Sequence, residues 1–270
     1  MSVEDRGLLS YLQQEFVSSA LESNELQGKD GSRIVLKIAV HSTVGCDPAP
    51  CASCAGFIAL LHADKAITLS FRGTNTLAQL VKETEQTLFH KKIPWIAGGY
   101  VSKYFHNAFN AVWNGGIKDK FEDLLKTYPA YAIWVTGHSL GGSMASLAAS
   151  YIVANGYVNA SKVKLVTFGQ PRTGDSDYAR ALNEKVPYSF RIVHRRDIIP
   201  HFPLTCKNYS HHDSEVRPRH HAQQLKSLMK GFRQFFVNIL SPWKLNGAVR
   251  DHTHEKLSEK FSDTYDREGG

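Results

Sequence analysis

The feature that most constrains the fold is a strand–turn–helix pattern at residues 132–154. The apolar run Ala132–Val135 is typical of a buried strand, and Leu140–Ala154 is rich in small helix-forming residues. Between them the chain reads GHSLG at 137–141, which matches the pattern G-x-S-x-G. The flanking glycines permit a tight turn that lifts the hydroxyl of Ser139 off the sheet. The pattern therefore predicts a serine presented between a strand and the N-terminus of a helix.

The rest of the chain alternates between strand-like and helical segments. Runs rich in β-branched or aromatic residues predict strands at Arg33–Val40, Gly56–His62, Ala66–Phe71, Tyr131–Thr136, Val163–Phe168 and Tyr188–His194. Helical patterns cover Val101–Tyr128, broken at Asn114-Gly115-Gly116, Leu140–Ala154, and Ser176–Leu182 with Asp175 as its cap. Such alternation is typical of an α/β fold with a largely parallel sheet. Because no repeat or linker interrupts it, we expect residues 1–270 to form one domain.

Composition excludes several classes of protein. The chain has 270 residues, of which 42% are hydrophobic and 21% are charged, so it can bury a sizeable core and global disorder is not expected. No run of about 18 apolar residues occurs, which excludes a membrane-spanning helix. The net charge of +7 favours anionic surfaces such as lipid headgroups or phosphates. No basic stripe interleaved with stacking aromatic residues supports nucleic-acid binding.

The sequence contains signals for two different cellular compartments. The N-terminal segment 1–16 places acidic residues before its one arginine and has no unbroken apolar stretch, so it is not a signal peptide. It predicts an amphipathic helix instead. Two N-glycosylation sequons, at Asn159 and Asn208, favour the secretory pathway, and a cytoplasmic protein is the alternative.

The four cysteines also bear on the compartment. Cys46, Cys51 and Cys54 are clustered, and Cys206 lies far downstream. A local disulfide such as Cys46–Cys54 is the preferred interpretation and suits an oxidising compartment, although the sequence does not fix the pairing. Buried free thiols are the alternative. The spacing C-x4-C-x2-C also matches plant-type iron–sulfur ligation, but no second cluster motif accompanies it, and zinc is equally unsupported.

A serine nucleophile requires a base, and the base requires an acid that orients it. Asp197 follows the predicted strand Tyr188–His194 at its C-terminal end, where open α/β sheets gather their active sites. The apolar segment 198–200 flanks it and suits a carboxylate held against an imidazole. Asp175, Asp177 and Asp213 are the competing acids, in expected caps or polar loops. Seven histidines follow Asp197, namely His201, His211, His212, His220, His221, His252 and His254, and composition does not choose among them.

Six segments together resemble one known family. They are ITLSFRGT at 67–74, VTGHSLGGSMASLAA at 135–149, VTFGQPRTGD at 166–175, RIVHRRDIIPHFP at 191–203, YSHHDSEV at 209–216 and DHTHE at 251–255. In this order they resemble the class 3 triacylglycerol lipases, the fungal-type lipases of the α/β-hydrolase fold, and within that family its nematode members. The resemblance covers roughly residues 33–216 and returns near the C-terminus.

The resemblance implies a role for each matching residue. Ser139 matches the nucleophile, Asp197 the acid of the triad and His252 its base. The spacing is plausible, since Asp197 follows Ser139 by 58 residues and His252 follows Asp197 by 55. The backbone N–H groups of Leu140 and Thr74 would form the oxyanion hole. No metal or cofactor is implied, and the segment GQPRTG at 169–174 is expected to shape a loop beside the site.

Two segments leave open alternatives. Residues 75–89 occupy the place of the family's lid and carry a mostly apolar stripe at helical spacing, which also fits an ordinary packed helix. Residues 217–250 do not resemble the family. They contain a helical apolar stripe at 225–240 with cations beside it, which suits either packing on the core or an anionic membrane surface. An altered splice form is a third explanation for this segment.

The sequence therefore predicts a serine hydrolase that cleaves carboxylic esters of lipids, as triacylglycerol lipases do. Its expected partners are a lipid ester at a lipid–water interface and, peripherally, a membrane. A phospholipase or a short-chain carboxylesterase with the same triad is the alternative within enzymes. A catalytically dead lipid-binding protein is the alternative outside them.

Overall fold

The computed structural model describes residues 26–27, 33–34, 36–45, 53–62, 64–72, 91–193 and 197–216 of the chain. The predicted N-terminal helix, the segment 75–89 and the segment 217–250 lie outside these residues. Side chains are described from Cys54 onwards.

The described residues form a seven-stranded sheet that is mostly parallel. Its strands are β3 (Leu36–Gly45), β4 (Ser53–Leu61), β5 (Ala66–Arg72), β8 (Ala132–His138), β9 (Val163–Phe168), β10 (Tyr188–Ile192) and β11 (Glu215–Val216). They are ordered β11-β10-β9-β8-β5-β4-β3 across the sheet. From β5 to β11 every neighbouring pair is parallel, and β4 is antiparallel to both of its neighbours. The six predicted strands all occur, with ends that differ by a few residues.

Two small antiparallel pairs accompany the sheet. The first joins β1 (Leu26–Gln27) to β2 (Arg33–Ile34), and the second joins β6 (Lys92–Pro94) to β7 (Tyr100–Ser102). Because β7 ends at Ser102, the helix predicted from Val101 begins two residues later, at Lys103.

The helices occupy the places that the sequence predicts. They are α1 (Lys103–Val112), α2 (Lys118–Thr127), α3 (Leu140–Ala154) and α4 (Ser176–Lys185). A π-helical segment at Trp113–Ile117 joins α1 to α2, and its two glycines have non-helical dihedral angles, as the predicted break requires. Asp175 caps α4 by accepting a hydrogen bond from the N–H of Tyr178 at 2.9 Å.

Helix α3 is central to the core. Twelve of its fifteen residues are buried, which accounts for its nearly uniform apolar and small-residue composition. It packs on β5, β8 and β9, with α1 beside it. An aromatic cluster fills the space between α1, the π-helical segment and α3, and it includes Trp95, Phe109, Trp113, Phe121 and Tyr151. The sheet and α3 thus form a rigid support for the turn at Ser139.

Candidate active site

The nucleophile candidate lies in a sharp, strained turn. Strand β8 ends at His138 and α3 begins at Leu140, so Ser139 is the only residue between them. Its dihedral angles are φ 56° and ψ −125°, a conformation that costs a non-glycine residue about 1–3 kcal/mol. The Ser139 N–H donates to the Phe168 carbonyl at 2.9 Å, and its own carbonyl accepts from the Gly142 N–H at 2.9 Å. Hydrogen bonds on both sides therefore hold the strained conformation.

Gly137 permits this turn because it has no side chain. A Cβ at this position would overlap the backbone of Gly141 in the first turn of α3. Strand and helix therefore approach each other more closely than any other residue at 137 allows. This confirms the sequence prediction of a tight strand–turn–helix arrangement around Ser139.

The start of α3 supplies the electrostatic setting. Leu140 is its first residue, and the first N–H groups of an α-helix lack partners within the helix. These donors and the helix dipole favour negative charge near Ser139. Ser139 itself is only 8% exposed, so an anion that forms there is screened little by water.

Asp197 lies at the same end of the sheet as Ser139. It comes after β10, which is separated from β8 by β9. Its Oδ1 accepts a hydrogen bond from the N–H of Ile199 at 3.0 Å. Its Oδ2 lies 2.6 Å from the place where Gly169 would carry a Cβ. Gly169 has φ 54° and directly follows Phe168, the residue that anchors Ser139. The turn after β9 therefore contacts both candidate residues.

His138 was not assigned a role from the sequence, yet it lies beside this acid. Its Nε2 is 3.4 Å from the missing Cβ of Gly169, on the same side as the Asp197 carboxylate. Burial lowers the pKa of His138, and the negative charge of Asp197 opposes that shift. His138 therefore tends to stay neutral. The sequence signal that could have predicted this is the position of His138 directly before Ser139 in GHSLG.

Comparison with known proteins points to one family. The family model described as Lipase (class 3) matches residues 68–207, just over half of the 270 residues. The chain belongs to the class 3 lipase family. A lipase of Caenorhabditis elegans is 40% identical over 158 residues, which are 58% of this chain and 44% of that protein. A lipase of Rhizomucor miehei is 34% identical over 155 residues, 56% of this chain and 41% of the other.

Solved structures of lipases share the fold. The triacylglyceride lipase of Rhizomucor miehei matches with a TM-score of 0.61 and 27% identity over 72% of this chain and 70% of the other. A triacylglycerol lipase whose catalytic centre is described as a serine protease triad matches with a TM-score of 0.60 and 29% identity, over 70% and 68% of the two chains. This class 3 lipase-family chain thus has the α/β-hydrolase fold. It spans less than half the length of the curated relatives it matches.

The competing acids of this lipase-family chain are engaged elsewhere. The carboxylate of Asp175 caps α4 and also accepts from the N–H of Tyr100 at 3.1 Å. Asp177 pairs with Arg180 at 2.7 Å on the exposed face of α4. Asp213 accepts from the side-chain amide of Asn183 at 3.0 Å. Of the four candidate acids, Asp197 alone contacts the turn that anchors Ser139.

Two of the rival histidines also have other partners. His211 Nε2 donates to the carbonyl of Pro200 at 2.7 Å. His212 lies between the hydroxyl of Ser189, 3.0 Å from Nδ1, and the side chain of Gln170, 3.2 Å from Nε2. Burial and then the charge of Arg191 lower the pKa of each imidazole to about 3. A base with so low a pKa is a weak proton acceptor at neutral pH.

Of the remaining candidates, His201 is exposed at the end of the short helix Ile199–His201, and the others are not among the described residues. Thr74, His220, His221, His252 and His254 all lie in the segments 73–90 and 217–270. Within the described residues, no cluster of three or more histidine, cysteine or acidic side chains is placed to hold a metal ion. In the same part of the chain, no helix has the length and apolarity needed to cross a membrane.

Proposed function

We propose that this chain is a serine hydrolase that cleaves the carboxylic esters of lipids. The observation that carries the proposal is the strained turn at Ser139, with the carboxylate of Asp197 held against the adjoining residue Gly169. Membership of the class 3 lipase family and the names of the relatives support the same chemistry.

The proposed reaction begins with attack of Ser139 Oγ on the ester carbonyl. His252 accepts the proton and passes it to the leaving alcohol, while Asp197 orients the imidazole and stabilises its cation. Water then hydrolyses the acyl-enzyme by the same steps. Hydrolysis of this kind requires no metal or cofactor.

The N–H groups of Leu140 and Thr74 are proposed to bind the oxyanion. The N–H of Leu140 is available because it begins α3. Support for Thr74 comes from the sheet, since β5 and β8 are parallel neighbours with Phe71 opposite Gly137. The chain therefore leaves β5 beside the serine turn. Each such donor contributes about 3–4 kcal/mol to transition-state stabilisation.

The substrate is proposed to be a lipid ester at a lipid–water interface, with peripheral contact to a membrane. The net charge of +7 supports this, because it favours anionic surfaces such as lipid headgroups. Residues 1–270 are proposed to form one domain, because no repeat or linker interrupts the chain.

The compartment is proposed to be the secretory pathway, with a disulfide among the clustered cysteines. Cys54 supports this, since it is fully buried and lies close in sequence to Cys46 and Cys51. Cys206 is an exposed free thiol, so the proposed bond joins two of the clustered cysteines. Asn159 is also exposed, as a glycosylated residue must be.

Covalent labelling by a fluorophosphonate tests the proposed activity. This reagent phosphonylates an activated serine, so peptide mass spectrometry should find one adduct, on Ser139. The Ser139→Ala variant should take up none, and a matched control at the exposed serine, Ser161→Ala, should react like wild type. A folded wild-type protein that takes up no label would favour a catalytically dead lipid-binding protein.

A further inference from the structure

A buried polar side chain lies directly behind the serine turn. Gln170 follows Gly169, is 1% exposed, and belongs to the segment that the sequence assigned to loop shaping alone. Its Cβ lies 3.0 Å from the position that a Cβ on Gly142 would take, so it packs against the first turn of α3. Gly142 in turn donates its N–H to the carbonyl of Ser139. Gly142 thus lies between the side chain of Gln170 and the backbone of Ser139.

Two hydrogen bonds and a contact with His212 hold the amide of Gln170. The hydroxyl of Thr167, at the end of β9, donates to Oε1 at 2.6 Å. The Nε2 of Gln170 donates to Thr173 Oγ1 at 3.0 Å. The imidazole of His212 lies 3.2 Å from Oε1. Because all four side chains are buried, each bond is protected from competition with water.

From this amide, contacts extend to the helix of the nucleophile. The hydroxyl of Thr173 donates to Ser143 Oγ at 3.1 Å. Ser143 lies in the first turn of α3, where its N–H points to the carbonyl of Ser139 at 3.4 Å. Gln170 is therefore linked to this turn both by packing and through Thr173.

In the other direction, contacts extend to the loop of the acid. Gly169, the neighbour of Gln170, contacts the Asp197 carboxylate. His212 precedes β11 and is adjacent to His211, which donates to the carbonyl of Pro200, three residues beyond Asp197. The loop that carries Asp197 is thus connected to the position of Gln170 at Asp197 itself and at Pro200.

We propose that Gln170 is a positioning residue that sets the distance between the Ser139 turn and the Asp197 loop. This inference rests on the proposed function, because it assigns Gln170 to the same site. Gln170 touches neither substrate nor reacting atoms. It acts through Gly142 and Thr173 on one side and through Gly169 and His212 on the other. Loss of its amide should therefore slow the chemical step and leave substrate binding nearly unchanged.

The variants Gln170→Met and Thr173→Val test the proposal. Methionine keeps the bulk that packs on Gly142 but removes the amide, and valine removes only the hydroxyl of Thr173. Thr68→Val is the matched control, since the hydroxyl of Thr68 is buried on β5 and has no hydrogen-bond partner among the described residues. The measurements are the rate of fluorophosphonate labelling at Ser139, kcat and KM for a soluble p-nitrophenyl ester, and the melting temperature.

We expect Gln170→Met to lower the labelling rate and kcat by about tenfold or more, with KM within about twofold of wild type. Thr173→Val should lower both rates by a smaller factor, and the double variant should resemble Gln170→Met, because the two side chains act in one network. Thr68→Val should match wild type. Labelling of Gln170→Met within about twofold of wild type would overturn the proposal, as would equal slowing in Thr68→Val.

Amide hydrogen exchange separates failure of this inference from failure of the proposed function. A wild-type protein that does not label overturns the proposed hydrolase. Positioning by Gln170 is then decided by exchange at residues 140–143, which should accelerate in Gln170→Met and Thr173→Val but not in Thr68→Val. If Gln170→Met does not fold, Thr173→Val decides by both measurements. Unchanged exchange and labelling in that folded variant would overturn the proposal.

Discussion

Among single residues, Ser139 and Gly169 have the most unusual backbone conformations of the site. Both have positive φ, at 56° and 54°, and they are joined through the hydrogen bond from Ser139 to Phe168. Only glycine avoids a penalty in this region, and only glycine leaves room for the Asp197 carboxylate. The two turns thus bring the proposed nucleophile and the proposed acid together from separate strands.

Gly169→Ala should reduce both stability and activity. The new methyl group would lie 2.6 Å from Asp197 Oδ2, so the carboxylate must move. The free energy of unfolding should fall by about 1–3 kcal/mol, measured in urea, and labelling of Ser139 should slow. Gly156→Ala is the matched control, since Gly156 has φ 69° with no atom within 4 Å of its missing Cβ. Gly156→Ala should lower the free energy of unfolding but leave the labelling rate of Ser139 unchanged. Equal labelling rates in the two variants would contradict the proposed role of Asp197.

The base is tested by comparing two neighbouring histidines. Because members of a triad act as a unit, His252→Ala should reduce ester hydrolysis nearly as much as Ser139→Ala, and the double variant should lose little more. His254→Ala should reduce kcat by about tenfold or less, because His254 is not the proposed base. The measurement is the steady-state rate of hydrolysis of a soluble ester by the three single variants and the double variant. An inactive His254→Ala variant together with an active His252→Ala variant would show that the base is His254 and not His252.

At the scale of secondary-structure elements, the sequence predicts what local patterns determine. Helix α3 begins and ends where its composition predicts, because GHSLG fixes its start and small residues fill its length. The strands can be predicted from the sequence because buried parallel strands are nearly continuous in apolar residues. Contacts between distant segments have no local pattern. The approach of Asp197 to Gly169, and the packing of Gln170 on Gly142, therefore could not be read from the sequence.

Helix α4 offers a test of capping beside the site. Asp175 accepts two backbone hydrogen bonds, from Tyr178 and Tyr100, and is 6% exposed. Asp175→Ala should lower the free energy of unfolding by about 1–2 kcal/mol in urea. Asp177→Ala removes the same charge from an exposed pair and should change it by less than about 0.5 kcal/mol. Equal effects would show that charge, and not capping, stabilises α4.

For the whole molecule, the buried histidines make stability depend on pH. Burial and the charge of Arg191 lower the pKa of His211 and His212 to about 3, from an ordinary value of 6.5. Between these pH values the unfolded chain binds protons that the folded protein does not. The free energy of unfolding should therefore fall as the pH drops from about 6.5 to about 3.

Urea unfolding across this pH range measures the effect. Each such histidine contributes a slope of up to about 1.4 kcal/mol per pH unit. His212→Gln should make the slope shallower, because it removes one of the two histidines with a lowered pKa. A slope for His212→Gln equal to that of wild type would contradict the assignment of this buried histidine.

The most direct test of the central claim is the rate of ester hydrolysis by purified Ser139→Ala. If Ser139 is the nucleophile, kcat for a soluble ester should fall by about 10⁴-fold or more, because no other group forms the acyl-enzyme. The circular dichroism spectrum and melting temperature should show an intact fold. Turnover within tenfold of wild type, in a folded variant, would remove Ser139 from the mechanism and contradict the account.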